Sequence, residues 1–217
     1  MKNIILINKP LGWTSHDVCL KIKNKFKFKK VGHSGTLDPM ATGLLVIGYN
    51  DGTKLLGTLS LDNKEYRAEF IFGTQTTTGD KTGKIIKTCK SNVNKKQLKQ
   101  TINFFRKNTY WQKPHIFSAK KINGKKAYEL ARQNISFSLK PVKVNINKIK
   151  ILNFNCKEQS LNLLLNVSKG FYVRSFCEDL ATKLQTFGYV NKLQRIKCGK
   201  LKLKKAMQLE DFLKQNI

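Results

Sequence analysis

The chain has 217 residues, 40% of them hydrophobic and 10% aromatic, which is enough apolar side chain to bury the core of one domain or of a compact pair. Its 42 Lys and Arg against 13 Asp and Glu give a net charge of +29, which favours a polyanion as partner, although an A/T-rich coding bias would also enrich lysine. The five cysteines and three histidines are scattered, which argues against a disulfide framework and a metal cluster. Neither a membrane-length apolar stretch nor a signal peptide is visible, so we expect a cytoplasmic protein and not a membrane protein.

Hydrophobic periodicity in the first third of the chain predicts three strands and one helix. The strands are expected at residues 4–7, at 44–47 and, with clean alternation, at 66–72. The helix has apolar residues every four positions at Val18, Ile22 and Phe26, and either Thr14 or Ser15 is expected to cap it.

Hydrophobic periodicity in the rest of the chain predicts further helices and strands. Asn94 is expected to cap a helix that carries Leu98, Ile102 and Phe105. Alternation predicts strands around residues 142–146 and 161–167, and a helical stripe is expected to begin just past Arg174. Short strands mixed with helices, without strict alternation of the two, predict an α+β fold with a mixed or antiparallel sheet.

One loop stands out by its chemistry. Residues 32–48 read GHSGTLDPMATGLLVIG, and Asp38 is the only formally charged residue among them. A single carboxylate among small residues, directly before an apolar run, indicates a reacting group. The alternative is that Asp38 and Pro39 form an ordinary turn in which the acid caps its own loop.

The loop and several other segments, in the expected order, resemble the motifs of the TruB family of tRNA pseudouridine synthases. These segments are GHSGTLDP at 32–39, NKPLGWTS at 8–15, KEYR at 64–67 with GDKTG at 79–83, SAKKINGKKAY at 118–128, SKGFYVRS at 168–175 and LQR at 193–195. The similarity runs through most of residues 4–213.

The resemblance implies the pseudouridine synthase fold, in which a mixed or antiparallel sheet is flanked by helices, as a single catalytic domain over residues 1–217. Residues 120–140, which are basic and interleaved with Tyr128, match an insertion that would clamp RNA by charge and stacking. Bacterial members usually continue into a C-terminal RNA-binding module of PUA type after the helix matched here at residues 209–213. We therefore expect this chain to lack that module and to be a monomer.

The implied function is isomerisation of uridine 55 in the T-loop of tRNA to pseudouridine. The N1–C1′ bond breaks, the base turns and C5 joins C1′, so composition is unchanged and no cofactor is required. Asp38 would act at the sugar, as a nucleophile or as a base and electrostatic stabiliser. Arg174 would pair with Asp38, a phosphate contact being the alternative. Tyr66 would stack on the target base, although an ordinary core position would also explain it.

The target uridine must leave its stack to be reached, and the resemblance assigns further residues to substrate binding. His33 would occupy the space left by the displaced base, and Tyr172 and Leu193 would line the base pocket; each would otherwise be a structural residue. Lys9 and Lys64 would contact phosphate, with a solvated surface position as the equal alternative. The expected partner is the T-arm of tRNA, and no metal or membrane is expected.

Two other functions compete. A non-catalytic RNA chaperone or ribosome-assembly factor would keep the fold and the charge, but it would not need Asp38, Tyr66 and Arg174 together. A guide-RNA-dependent relative, of the kind found in archaea and eukaryotes, is disfavoured because it uses the C-terminal module for assembly. The sequence leaves open whether the reaction passes through a covalent adduct or a glycal.

Overall fold

The computed structural model describes residues 2–118, 120–122, 124–133 and 135–216. The helices are α1 (Ser15–Phe26), α2 (Leu56–Leu61), α3 (Lys95–Lys107), α4 (Ala127–Arg132), α5 (Val173–Lys183) and α6 (Leu209–Leu213). The strands are β1 (Ile4–Lys9), β2 (Val31–His33), β3 (Ala41–Tyr49), β4 (Lys64–Phe72), β5 (Thr74–Thr76), β6 (Ile85–Thr88), β7 (Tyr110–Gln112), β8 (Lys121–Ile122), β9 (Lys125–Lys126), β10 (Val142–Val144), β11 (Ile146–Asn155), β12 (Ser160–Val167), β13 (Gly188–Cys198), β14 (Leu201–Lys202) and β15 (Met207–Gln208). Within these described ranges no helix combines the length and the apolar character that crossing a bilayer requires.

The main sheet has nine strands, and its order is β11-β12-β4-β13-β3-β1-β15, with β14 paired to β13 and β2 to β3. β1 and β2 run antiparallel to β3, whereas β13 runs parallel to it and β15 parallel to β1. Three two-stranded pairs, β10-β7, β5-β6 and β8-β9, lie outside it. The predicted α+β fold with a mixed sheet is confirmed.

The chain divides into two compact units. The first comprises Met1–Ala68, Leu164–Lys169 and Lys192–Ile217, and the second comprises Glu69–Leu163 and Gly170–Asn191. Strands β4, β12 and β13 each contribute residues to both units. The single catalytic domain expected over residues 1–217 stays a prediction.

The core of the first unit lies on both faces of β3, because its residues 44–47 alternate between two apolar clusters. Leu45 and Ile47 pack with Ile7 against residues of α1 and α6, and Leu44 and Val46 pack with Cys198 on the other side. A strand buried on both faces reads as a continuous apolar run, as this one does.

The second unit is centred on aromatic rings. Phe176 of α5 lies 5.3 Å from Phe105 of α3 and 6.1 Å from Phe70 of β4, measured between ring centroids. Tyr110 of β7 meets Phe105 edge-on at 5.2 Å. Edge-to-face pairs of this kind fasten α3, α5 and β7 together.

Of the two caps expected for α1, Thr14 is the one observed, in a capping box with Asp17. The other predicted elements are present, with two differences. The alternating stretch near residue 144 forms two strands, β10 and β11, separated at Asn145. Helix α5 begins at Val173, so Arg174 lies inside its first turn and the predicted start just past Arg174 was wrong.

Gly43 lies where β3 and β13 of the first unit approach each other closely. It pairs with Arg195 in the parallel β3–β13 ladder, has φ +101°, and a Cβ there would lie 2.4 Å from the Arg195 carbonyl oxygen. Gly57, exposed in α2, has no atom within 4 Å of its virtual Cβ and serves as a matched control.

Gly43→Ala should lower the free energy of unfolding by at least about 2 kcal/mol, because the added methyl meets backbone that cannot give way. Gly57→Ala should raise it by about 0.5 kcal/mol through helix propensity. Urea denaturation of both variants measures the difference, and equal stability of the two would contradict the strand contact.

Candidate active site

Asp38 lies in a loop, residues 34–40, that connects β2 to β3. Both ends of the loop are fixed on β3, where His33 pairs with Ile47 and the Ser34 N–H donates to the Val46 carbonyl at 3.0 Å. The Ala41 N–H donates to the Asp38 carbonyl at 3.0 Å, which closes a turn with Pro39 after the acid. The turn alternative is therefore correct for the backbone, and Asp38 itself is half-buried.

Arg195 of β13 holds the first part of the loop. Its side chain is buried, and it donates from Nε to the Leu44 carbonyl at 2.8 Å, from Nη2 to Gly35 at 2.9 Å and from Nη1 to Thr36 at 3.4 Å. A planar guanidinium reaches three carbonyls at fixed angles, which a lysine does not. The sequence placed Arg195 in a motif without assigning it this structural role.

The start of α1 holds the second part of the loop. The Leu37 N–H donates to Ser15 Oγ at 2.8 Å, and the same hydroxyl lies 3.2 Å from the Leu37 carbonyl, to which it donates. The Gly12 N–H donates to the Pro39 carbonyl at 2.9 Å. Both backbone groups of Leu37 and the carbonyl of Pro39, the residues on either side of Asp38, are thus paired.

Lys9 is wholly buried at the end of β1, so neither a solvated position nor an exposed phosphate contact fits it. Its ammonium donates to the carbonyls of Trp13 at 2.6 Å, Pro10 at 2.9 Å and Pro39 at 3.4 Å. Burial lowers its pKa to about 8, and the negative charge of Asp38 opposes that shift. Lys9 therefore supports the Asp38 loop from within the protein.

Lys64 and the Nδ1 atom of His33 are also buried. Lys64 is 7% exposed at the start of β4, and its ammonium donates to the carbonyls of Ser60 and Asp62, so the solvated alternative was wrong. Burial lowers the pKa of Lys64. His33 Nδ1 is buried and has no hydrogen-bond partner within the described part of the chain. Burial, then the charges of Arg195 and His16, lower the pKa of His33 and favour its neutral form.

Tyr66 and Leu193 complete the predicted residues of the first unit. Tyr66 is 9% exposed in β4, and Leu193 lies in β13, where it pairs with Ala41 at the end of the Asp38 loop. The first unit therefore brings Lys9 and Leu193 to the loop that carries Asp38. The roles of Tyr66, Leu193 and His33 toward a base stay predictions.

Arg174 belongs to the second unit, where it is buried in the first turn of α5. It donates from Nη1 to the Thr78 carbonyl at 3.0 Å and from Nη2 to the Phe117 carbonyl at 2.9 Å. Asp80 Oδ2 lies 3.6 Å from Nη1. A phosphate-contacting arginine needs an accessible guanidinium, so this alternative does not fit, and the pairing with Asp38 stays a prediction.

Asp80 is a buried carboxylate to which the sequence assigned no role. Its Oδ1 accepts from the Thr78 hydroxyl at 2.9 Å and from the backbone N–H and hydroxyl of Thr82 at 2.9 and 2.5 Å. These bonds fold residues 78–82 around the carboxylate and direct Oδ2 toward Arg174. The match of GDKTG to a motif was the available signal for this residue.

Tyr172 caps α5 at the backbone level and is fixed by Gln112 of β7. The Tyr172 N–H donates to Gln112 Oε1 at 2.7 Å, and Gln112 Nε2 donates to the Tyr172 carbonyl at 3.0 Å. Gln112 is fully buried, so its two hydrogen bonds fix the backbone of Tyr172, two residues before Arg174. The side-chain role of Tyr172 in a base pocket stays a prediction.

The predicted RNA-clamping segment, residues 120–140, contains the β8–β9 hairpin and α4. Lys121, Lys125 and Lys126 are exposed there, and the cations of Lys126 and Arg132 lie 5.4 and 5.5 Å from the ring centroid of Tyr128. Residues 123 and 134 of this segment lie outside the described part of the chain. In the described residues no group of three or more His, Cys, Asp and Glu is placed to hold a metal ion.

The buried ammonium of Lys9 predicts a pH dependence of stability. Between the folded pKa of about 8 and the unfolded value of 10.5, the unfolded chain binds more protons than the folded chain. The free energy of unfolding should therefore rise with pH across this window on account of Lys9. Urea denaturation at several pH values should show that rise in the wild type relative to Lys9→Met, and a pH-independent difference between the two would contradict it.

The chain resembles known proteins in both sequence and fold. Residues 23–173 match the family described as "TruB family pseudouridylate synthase (N terminal domain)". Proteins named tRNA pseudouridine synthase B are 51% identical over 209 residues in Ureaplasma urealyticum, covering 96% of this chain and 91% of that protein, and 41% identical over 213 residues in Aquifex aeolicus, covering 98% and 74%. A solved Cbf5-Nop10-Gar1 complex contains a chain of the same fold, with TM-score 0.75 and 23% identity over 97% of this chain and 53% of that one. This chain belongs to the TruB family of pseudouridylate synthases.

Proposed function

We propose that this chain is a tRNA pseudouridine synthase that isomerises uridine 55 in the T-loop. Relatives at 41–51% identity over nearly the whole chain carry the name tRNA pseudouridine synthase B. The family supports the reaction, and the choice of uridine 55 and of the T-arm rests on the sequence resemblance. The monomeric state and the cytoplasmic location expected from the sequence stay predictions.

The observation that carries the proposal is the fixed geometry of the Asp38 loop. A carboxylate that acts at C1′ of the sugar must be held in place before the substrate arrives, since misplacement by about 1 Å costs up to about a hundredfold in rate. Arg195, Ser15 and Lys9 bind the backbone on both sides of Asp38 and meet that requirement.

The chemistry needs no net addition or loss of atoms. The N1–C1′ bond of uridine breaks, C5 bonds to C1′, the proton on C5 is lost and N1 gains a proton. Asp38 acts on C1′ as a nucleophile or as a base and electrostatic stabiliser. Arg174 is proposed to orient that carboxylate, Tyr66 to stack on the base, and His33, Tyr172 and Leu193 to accommodate the flipped nucleotide.

RNA binding is supported by charge. The net charge of +29 favours phosphate through counterion release, and the β8–β9 hairpin presents exposed lysines beside Tyr128. Lys9 and Lys64 are excluded from this set because their ammonium groups are occupied by backbone carbonyls in the interior. The proposed clamp is therefore the segment 120–140 and not these two lysines.

Asp38→Asn should abolish pseudouridine formation and leave tRNA affinity within about threefold of the wild type. The amide is nearly isosteric with the carboxylate, but it supplies neither a nucleophile nor a base. Single-turnover assays on an unmodified tRNA and on a T-arm hairpin, with mapping of the modified position, measure the reaction, and filter binding measures the affinity.

Asp51→Asn is the matched control, because it makes the same change of charge at an exposed position. Asp51 forms an ion pair with Lys54, and the variant should keep full activity. Residual turnover by Asp38→Asn within tenfold of the wild type would remove Asp38 from the mechanism. RNA binding by the wild type without any isomerisation would favour the chaperone alternative.

Arg174→Lys should lower the single-turnover rate about a hundredfold at saturating tRNA. Lysine keeps the charge, but it loses the planar fork that binds the Thr78 and Phe117 carbonyls together. The exposed Arg106→Lys in α3 is the matched control and should behave as the wild type. A rate unchanged at saturating tRNA, with weaker binding alone, would contradict a role of Arg174 in the chemical step.

A further inference from the structure

The second unit contains a buried imidazole that the proposed reaction does not use. His115 follows β7 and is 6% exposed. Its Nδ1 lies 3.4 Å from Arg174 Nη1, and its Nε2 lies 3.7 Å from Glu178 Oε1. The ring therefore stands between the guanidinium of Arg174 and a carboxylate one turn further along α5.

The donors around Nδ1 of His115 determine the tautomer of the neutral ring. The Phe117 N–H donates to Nδ1 at 3.2 Å. Arg174 Nη1, which also lies near Nδ1, has no lone pair and can only donate. Nδ1 is therefore an acceptor, and a neutral ring carries its proton on Nε2, toward Glu178.

The ring has little freedom to turn away from this arrangement. Gly79 has φ +68°, and a Cβ at that position would lie 2.8 Å from Nε2 of His115 and 3.1 Å from Oε1 of Glu178. Only a glycine lets the backbone approach the imidazole edge so closely. On another side the ring of Phe117 lies 6.0 Å away, tilted by 30°.

His115 acts on Arg174 through two connections. Nδ1 faces Nη1 directly, and through the Phe117 N–H the same atom fixes the residue whose carbonyl accepts from Nη2 at 2.9 Å. Thr78 and Asp80 also contact Nη1. Loss of the Nδ1 acceptor would therefore loosen both terminal nitrogens of the guanidinium.

We propose that His115, as its Nε2–H tautomer facing Glu178, is a positioning residue for Arg174. The proposal rests on the proposed function, in which Arg174 serves the chemical step.

Two substitutions distinguish the role of Nδ1 from that of Nε2. His115→Asn keeps an acceptor at the position of Nδ1, because an Asn side chain accepts from the backbone N–H two residues on in an Asx turn. His115→Gln reaches toward Glu178 but places no acceptor at the Nδ1 position. The two variants remove the same aromatic ring, so a purely structural role would affect them alike.

The first measurement is the single-turnover rate at saturating tRNA. His115→Gln should lower this rate by about tenfold to a hundredfold, and His115→Asn should retain at least about tenfold more activity than His115→Gln. Both variants should bind tRNA with the wild-type Kd and melt at similar temperatures. Equal rates for the two variants, or rates that follow only the Tm, would overturn the positioning role.

The second measurement observes the tautomer directly. Long-range proton–nitrogen NMR of histidine-labelled protein separates the three histidines, and the spectrum of His115→Asn assigns the missing signals. The expected result is a proton on Nε2 and none on Nδ1, since Nδ1 accepts from the Phe117 N–H. A proton on Nδ1 at the pH of the activity assay would overturn the proposal.

Failure of this proposal and failure of the proposed function give different results. Wild-type protein that forms no pseudouridine would refute the function, and the tautomer measured by NMR would still decide the geometry around Arg174. Wild-type activity together with equal rates for His115→Asn and His115→Gln would refute the positioning role alone.

Discussion

The Asp38 loop depends on hydrogen bonds to its backbone that the loop cannot make with itself. A partly buried connection between two strands must find partners for its N–H and C=O groups, because an unpaired buried group costs about 1–3 kcal/mol. Most of these partners come from elsewhere in the first unit: the start of α1, the end of β1 and the middle of β13. The position of the carboxylate is therefore a property of the unit as a whole.

Buried cations that bind backbone carbonyls recur throughout the protein. Lys9, Lys64, Arg174 and Arg195 are all buried, and each donates to at least two carbonyl oxygens. With 42 cationic side chains and 13 acidic ones, carboxylates are scarce partners in this chain. Carbonyl oxygens are available wherever the backbone turns out of a sheet, and they satisfy the cations at these points.

The elements themselves were largely predictable, because strand alternation and helix stripes report burial directly. The same alternation also contained the buried cations: Lys9 follows Ile7 by two, Lys64 precedes Tyr66 by two, and Arg195 follows Leu193 by two, each pair on one face. Because lysine and arginine are usually exposed, their place on the buried face was not recognised from the sequence. The contacts of Asp80 and His115 with Arg174 could not be predicted from periodicity, since both residues lie in loops where no period exists, and only the GDKTG motif marked Asp80.

The separation between Arg195 and the loop it holds has a consequence for synthesis. Arg195 binds the carbonyl of Leu44, which precedes it by 151 residues. Strand β15, which pairs with β1 at the sheet edge, and helix α6, which packs in the core with Ile7 of β1, come later still in the chain. A nascent chain on the ribosome thus exposes the Asp38 segment and many of its lysines well before the groups that order them have emerged. Such a chain has enough positive charge to associate with RNA, and the Asp38 loop acquires its fixed geometry only after β13 has been synthesised.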